Sequence, residues 1–132
     1  MSANSTTNEL FVKYGGALSG TYTVNVFSSS YGQIASTVTF QAIGTITSFS
    51  PSSGSVYGGT LLTINGYTFS SLITDNPVMI GAYECPVISS SANSITCLTP
   101  LRPNTSPETD IISVFLKTSE EATCSVGGGC NF

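Results

Sequence analysis

Histidine and tryptophan are both missing from this 132-residue chain, and only three of its residues are basic. Each shortage excludes something. Without histidine, the Ser-His-Asp and Cys-His arrangements of nucleophilic catalysis cannot be assembled in their usual form. Without tryptophan, the core is not that of an antibody domain. Lys13, Arg102 and Lys117 stand against seven acids, for a net charge of -4. A nucleic-acid surface needs clustered Lys and Arg to neutralise phosphates, and an anionic membrane surface needs the same. No apolar run reaches the 18 or so residues that span a bilayer, so no membrane insertion is expected. Residues 1–9 are polar and lack the apolar segment of a signal peptide. The chain therefore reads as a mature product or as a piece of something longer.

The remaining chemistry is equally sparse. Gly58-Gly59 and Gly127-Gly128-Gly129 are not followed by Gly-Lys-Ser/Thr, so neither is a phosphate loop. Glu108 and Asp110, and Glu120 and Glu121, are close in sequence, but nothing marks them as buried, and they read as solvated loop acids. Asp75-Asn76 and the pair Glu108, Asp110 lack the regular spacing of a calcium loop. No catalytic residue, metal or cofactor is assigned.

What is abundant is β-forming and turn-forming material. The chain is 40% hydrophobic, with 13 Gly and 6 Pro, as expected of a packed fold with many turns. Its length suits one ordinary domain plus a fragment of another. Only 8% of residues are charged, whereas Ser and Thr make up roughly three residues in ten, well above average usage. Two readings of these hydroxyls stand side by side: polar outer faces of strands, or sites that carry sugars. Two N-glycosylation sequons are present, Asn4-Ser5-Thr6 and Asn104-Thr105-Ser106, the second within the loop-like RPNTSPETD. The cysteines are Cys85, Cys97, Cys124 and Cys130. Their even number, with the low charge and the sequons, suggests an oxidising, extracellular setting. Cys85–Cys97 would close a short loop across two strands, and Cys124–Cys130 would close SVGGG. Zinc is the rival, but it favours closely spaced Cys pairs or added His; free thiols are the third option.

Along the chain, period-two alternation prevails over helical periodicity. Thr21–Phe27 reads TYTVNVF, with Tyr22, Val24 and Val26 on one face, and Ile34, Val38 and Phe40 follow in phase. The two runs, joined by SSSYGQ, form a hairpin. The pattern restarts after Ala42. Strands are expected around Ile46–Phe49, Leu61–Ile64, Val78–Ile80, Val87–Ile88, Ile95–Leu98 and Ile111–Leu116, with Thr123–Val126 and Asn131-Phe132 as a last edge. Phe11, Phe27, Phe40, Phe49, Phe69 and Phe115 are expected in cores. Tyr31, Tyr57, Tyr67 and Tyr83 fall in or near turns, where a ring either caps a core edge or stacks on a sugar or protein.

The segment ITSFSPSSGSVYGGTLLTINGYTFS, followed by IGAYECPVISSSANSITCLTP, resembles the immunoglobulin-like TIG/IPT domain shared by plexins and certain transcription factors. The resemblance covers about residues 44–132, and the compact Cys85–Cys97 hairpin is most similar to the tandem units of fibrocystin-like surface proteins. The scarcity of basic residues weighs against the transcription-factor branch. The resemblance implies an all-β, Ig-like sandwich over residues 43–132, preceded over residues 1–42 by the terminal strands of a similar sandwich; GTYTVNV resembles a penultimate strand. It also implies a non-enzymatic role at a cell surface in spacing, adhesion or assembly, for example in a filament or coat. A ligand-binding module of a receptor or adhesin, recognising glycan or protein, is the alternative, and an enzyme accessory domain the third. Two or three strands are marginal alone. Leu10, Val12, Tyr22, Val24, Val26, Val38 and Phe40 would face water in an isolated chain, which makes them the candidate assembly surface. The covering strands would come from the same polypeptide or from a neighbouring copy.

Overall fold

The computed structural model describes residues 2–5, 10–13, 19–34, 37–103, 109–116 and 120–132, with side chains from Ser19 onward. The N-terminal part is a series of antiparallel ladders. β1 (Ser2–Ser5) pairs with β2 (Leu10–Lys13), although the polar opening residues give no strand signal. β3 (Gly20–Thr23) and β4 (Val26–Ser28) pair respectively with β6 (Thr39–Ala42) and β5 (Gly32–Ile34). The hairpin expected around SSSYGQ is present, turning at Ser29–Tyr31, but its arms are not continuous. They break at Val24-Asn25, where one backbone bond, Val24 N–H to Val38 O at 2.9 Å, carries the pairing across the gap.

The second part is a two-layer sandwich. One layer uses β7 (Thr45–Ser50), β8 (Leu61–Tyr67), β11 (Val87–Ser90), β12 (Ser94–Leu98) and β14 (Thr123–Cys124), in the order β11-β12-β8-β7-β14. The other uses β9 (Val78–Ile80), β10 (Tyr83–Cys85) and β13 (Ile112–Val114), in the order β10-β9-β13. Alternation explains the layering. Leu62 and Ile64 of β8, and Ile95 and Cys97 of β12, point inward against Val78, Ile80, Ile112 and Val114, and all are buried. This is the immunoglobulin-like β-sandwich that the resemblance implies for residues 43–132.

Three expectations are corrected. First, the strand beside Cys85 is two strands. Pro86 lacks an N–H and cannot continue a ladder, so the chain leaves the three-stranded sheet at Cys85 and enters the five-stranded sheet at Val87. Second, Thr123–Val126 and Asn131-Phe132 are not two arms of one edge. Thr123 and Cys124 run parallel to Thr45 and Ile46 of β7, whereas Cys130–Phe132 pairs with Asp110–Ile112 on the opposite layer. Third, the phenylalanines divide. Phe69 is fully buried and Phe49 packs on the core rim, but Phe27, Phe40 and Phe115 are 72%, 41% and 36% exposed. Strand position sets face and not depth, and Phe27 and Phe40 lie in a hairpin with no second layer among the described residues. The side chain of Phe11 lies outside the described set.

Candidate interaction surfaces

Cys85 is bonded to Cys97 and Cys124 to Cys130, leaving no free cysteine for metal. The topology gives both bonds a role that their spacing conceals. Cys85 lies in the three-stranded sheet and Cys97 in the five-stranded sheet, and both are fully buried. Cys124 lies in β14 of the five-stranded sheet, while the carbonyl of Cys130 accepts from Ile112 N–H of the other sheet at 2.8 Å. Each disulfide therefore clamps the two layers together, one through the core and one at the open edge.

Two acids expected in solvent are not there. Asp110 is ion-paired with Arg102, and both side chains are mostly shielded, at 20% and 13% exposure. The Arg102 guanidinium also sits over the Tyr83 ring, 5.8 Å from its centroid. Glu120 is half-buried and accepts from Gln41 Nε2 at 2.7 Å, whereas Glu121 is exposed. Glu108 lies outside the described residues. Asn76, once a candidate calcium ligand, is fully buried and acts as a structural hub. Its Nδ2 donates to Ser70 O at 2.8 Å and Ser90 Oγ at 2.9 Å, and its Oδ1 accepts from Ser70 N–H at 2.9 Å. The amide thus fills the space between these oxygens, and among the described residues no cluster of metal-binding side chains occurs.

At the end of the sandwich where β7 and β12 finish and β8 begins lies a cleft of about 430 Å³. Its walls are the Ser/Gly-rich connection after Pro51 and the segment after Leu98. Three backbone bonds hold them: Gly58 N–H to Ser55 O at 2.9 Å, Gly59 N–H to Thr99 O at 2.8 Å, and Arg102 N–H to Val56 O at 2.9 Å. Gly58 is required twice over. Its φ is +76°, and a Cβ there would stand 2.7 Å from the Pro100 carbonyl carbon. Gly54 lets the Phe132 ring close the floor, because a Cβ would meet that ring at 2.7 Å. Tyr57 stands at the cleft, 73% exposed, and Tyr31 and Tyr67, at 88% and 60%, are likewise on the surface rather than capping the core. The Ser/Gly turn and Tyr57 were visible in the sequence; the approach of Arg102, Asp110 and Phe132 was not.

Of the candidate assembly residues, Tyr22, Val24, Val26, Val38 and Phe40 fall on the N-terminal hairpin. Register pairs Tyr22 with Phe40 and Val26 with Ile34, and the Val24–Val38 backbone bond lies between them. With a side-chain period of two, these six belong to one face. Tyr22 is 36%, Ile34 49%, Val38 62% and Phe40 41% exposed, while Val24 and Val26 are half-buried rather than facing water. Leu10 and Val12 lie in β2, and Asn4 in β1, with side chains outside the described set. Asn104 is also outside the described residues.

Together, the two layers, the inter-sheet disulfides and the loop-end cleft define an immunoglobulin-like sandwich module. The pattern of the IPT/TIG domain family matches residues 45–128, and the chain belongs to that family. It is similar to human fibrocystin-L, 39% identical over 72 residues, covering 54% of this chain and 2% of that protein. Mouse fibrocystin-L is 49% identical over 47 residues, covering 36% of this chain and 1% of that one. The chain thus spans a small fraction of the length of these relatives. Among solved structures, an auxiliary nutrient binding protein from Bacteroides ovatus aligns at TM-score 0.48 and 23% identity, over 64% of this chain and 20% of its own. A protein of the same description from Bacteroides thetaiotaomicron aligns at TM-score 0.49 and 26% identity, over 63% and 19%.

Proposed function

We propose that this chain is a non-enzymatic, extracellular structural module that assembles with neighbouring copies or adjacent Ig-like units. The observation that carries this reading is the apolar face of the N-terminal hairpin, where Ile34, Val38 and Phe40 are each at least 41% exposed. Burying a side chain of Val to Phe size contributes about 1.5–3 kcal/mol, so covering several of them is a substantial driving force. A partner strand or sheet would cover this face, by strand addition at the hairpin or by end-to-end packing. A contact repeated head to tail does not close, and it builds a filament or coat. Sedimentation of residues 1–132 tests this: concentration-dependent association is expected, and native material should show repeating assemblies by electron microscopy. A chain that stays monomeric at high concentration, with hairpin amides protected from hydrogen exchange, would sink the reading.

The same setting calls for hydration that a chain with 8% charge does not supply. Covalent glycans, on Asn104 foremost, with Asn4 and some Ser/Thr as further acceptors, would provide it. Native protein should therefore lose mass on glycosidase treatment, and an unmodified native mass counts against this part.

A further inference from the structure

We propose that the loop-end cleft binds a small neutral saccharide. The inference does not rest on the assembly reading, because the cleft and the hairpin face lie on opposite ends of β7: the cleft follows Ser50, and the hairpin leads into Thr45.

The cleft is built before any ligand arrives. Its two walls are tied by the Gly59–Thr99 and Arg102–Val56 backbone bonds, and the Phe132 ring rests against Gly54 beneath them. Little ordering would be left to offset on binding. Its volume, about 430 Å³, lies within the range of small-molecule sites, roughly 300–1,000 Å³, and is far below what a folded partner needs.

Its chemistry selects the ligand class. Arg102 would attract a carboxylate or phosphate, but Asp110 balances it, so the site offers no net positive charge. Arg102 lines the cleft, while Asp110 stands behind it with its Oδ2 buried, so the pair contributes a charge-balanced cation rather than an anion site, which suits a neutral ligand. The hydroxyls of Ser53 and Tyr57 are bonded to no other described residue and add further partners. Ile80 and Phe132 provide apolar wall, and the exposed Tyr57 ring offers a flat surface for a sugar's C–H face. A ligand with hydroxyls around its rim and C–H groups on its face matches this mixture. An extended peptide suits it less, because Gly59 N–H, Thr99 O, Arg102 N–H and Val56 O, groups that could otherwise pair with an added strand, already bond across the cleft.

Amide NMR of the labelled chain, titrated separately with glucose, galactose, mannose and N-acetylglucosamine at millimolar concentration, tests the proposal. At least one sugar should give saturable shifts centred on residues 53–59 and 99–102. Tyr57→Ala, at an exposed position, should weaken binding about tenfold while leaving the thermal midpoint unchanged. Val38→Asp on the hairpin should leave it intact, which separates this site from the assembly face. Absence of saturable shifts with all four sugars overturns the proposal. So do shifts centred elsewhere, an unaffected Tyr57→Ala variant, or binding of glucuronic acid or a peptide in place of the neutral sugars.

Discussion

Asn76 shows how one buried polar side chain can fix a connection that hydrophobic packing cannot. The segment between β8 and β9 must turn back across the end of the sandwich, and its only regular piece is the 3-10 turn Ile73–Asp75. Asn76 joins this turn to Ser70 at its start and to Ser90 on β11, with no exposure to water. Ser70 Oγ in turn donates to Asp75 Oδ2 at 3.0 Å. Removing the amide strands buried donors and acceptors, each costing about 1–3 kcal/mol. Asn76→Ala should therefore lower stability by about 3 kcal/mol, read as a shift of the urea midpoint. Asn76→Asp is the sharper variant. It keeps the acceptor for Ser70 N–H but cannot donate to Ser70 O, and it places a carboxylate where water does not reach. It should be at least as destabilising as alanine at neutral pH; a near-neutral effect would show that the network does not fasten this turn.

At the scale of elements, the disulfides act as ties between layers. The Cys85–Cys97 bond spans 12 residues and Cys124–Cys130 spans 6. The chain-entropy model assigns about 3 kcal/mol to the first and about 2 to the second. Replacing Cys85 and Cys97 together by alanine should depress the thermal midpoint more than the same change at Cys124 and Cys130, because the first pair also fills the core. Accessibility runs the other way: Cys124 is exposed whereas Cys85 and Cys97 are fully buried. Under mild reduction followed by alkylation and peptide mapping, Cys124 and Cys130 should be labelled first. Simultaneous labelling of all four would mean that reduction waits on global unfolding. These elements also mark what the sequence discloses. Alternation located β8, β9, β12 and β13, because each buries one face and its inward residues recur every second position; β7 departs from it, its inward Ile46 and Phe49 being separated by a register shift. It did not show that Pro86 hands the chain from one sheet to the other, since sheet membership is settled by which strand each segment pairs with: Met79 for Glu84, Cys97 for Val87. The cleft was half legible for the same reason. Tyr57 sits in a recognisable Ser/Gly turn, but the Arg102–Asp110 pair and the Phe132 floor form only when three separated segments meet.

For the whole molecule, the contrast between its two parts decides where association should occur. The sandwich blunts three of its four edges. β14 is only two residues long, β11 carries a register shift between Val87 and Ser89, and β13 is flanked by the Asp110–Phe132 and Ala122–Val114 backbone bonds. Short or bulged edges resist pairing with another chain. The hairpin's strands are short and interrupted too, so what sets it apart is its exposed face, which is apolar rather than charged. That chemistry makes the salt response diagnostic. With a net charge of -4 the copies repel weakly, and salt screens repulsion while leaving apolar burial intact. Association should therefore persist or strengthen as ionic strength rises; dissolution in high salt would point to ion pairing and away from the hairpin face. Val38 is 62% exposed, so Val38→Asp should fold normally. Burying the new carboxylate against an apolar partner is expensive, and the variant should remain monomeric at concentrations where the parent chain associates, as read by sedimentation velocity. A variant that assembles as readily as the parent would remove the hairpin face from the contact and leave the cleft end of the sandwich as the surface to test next.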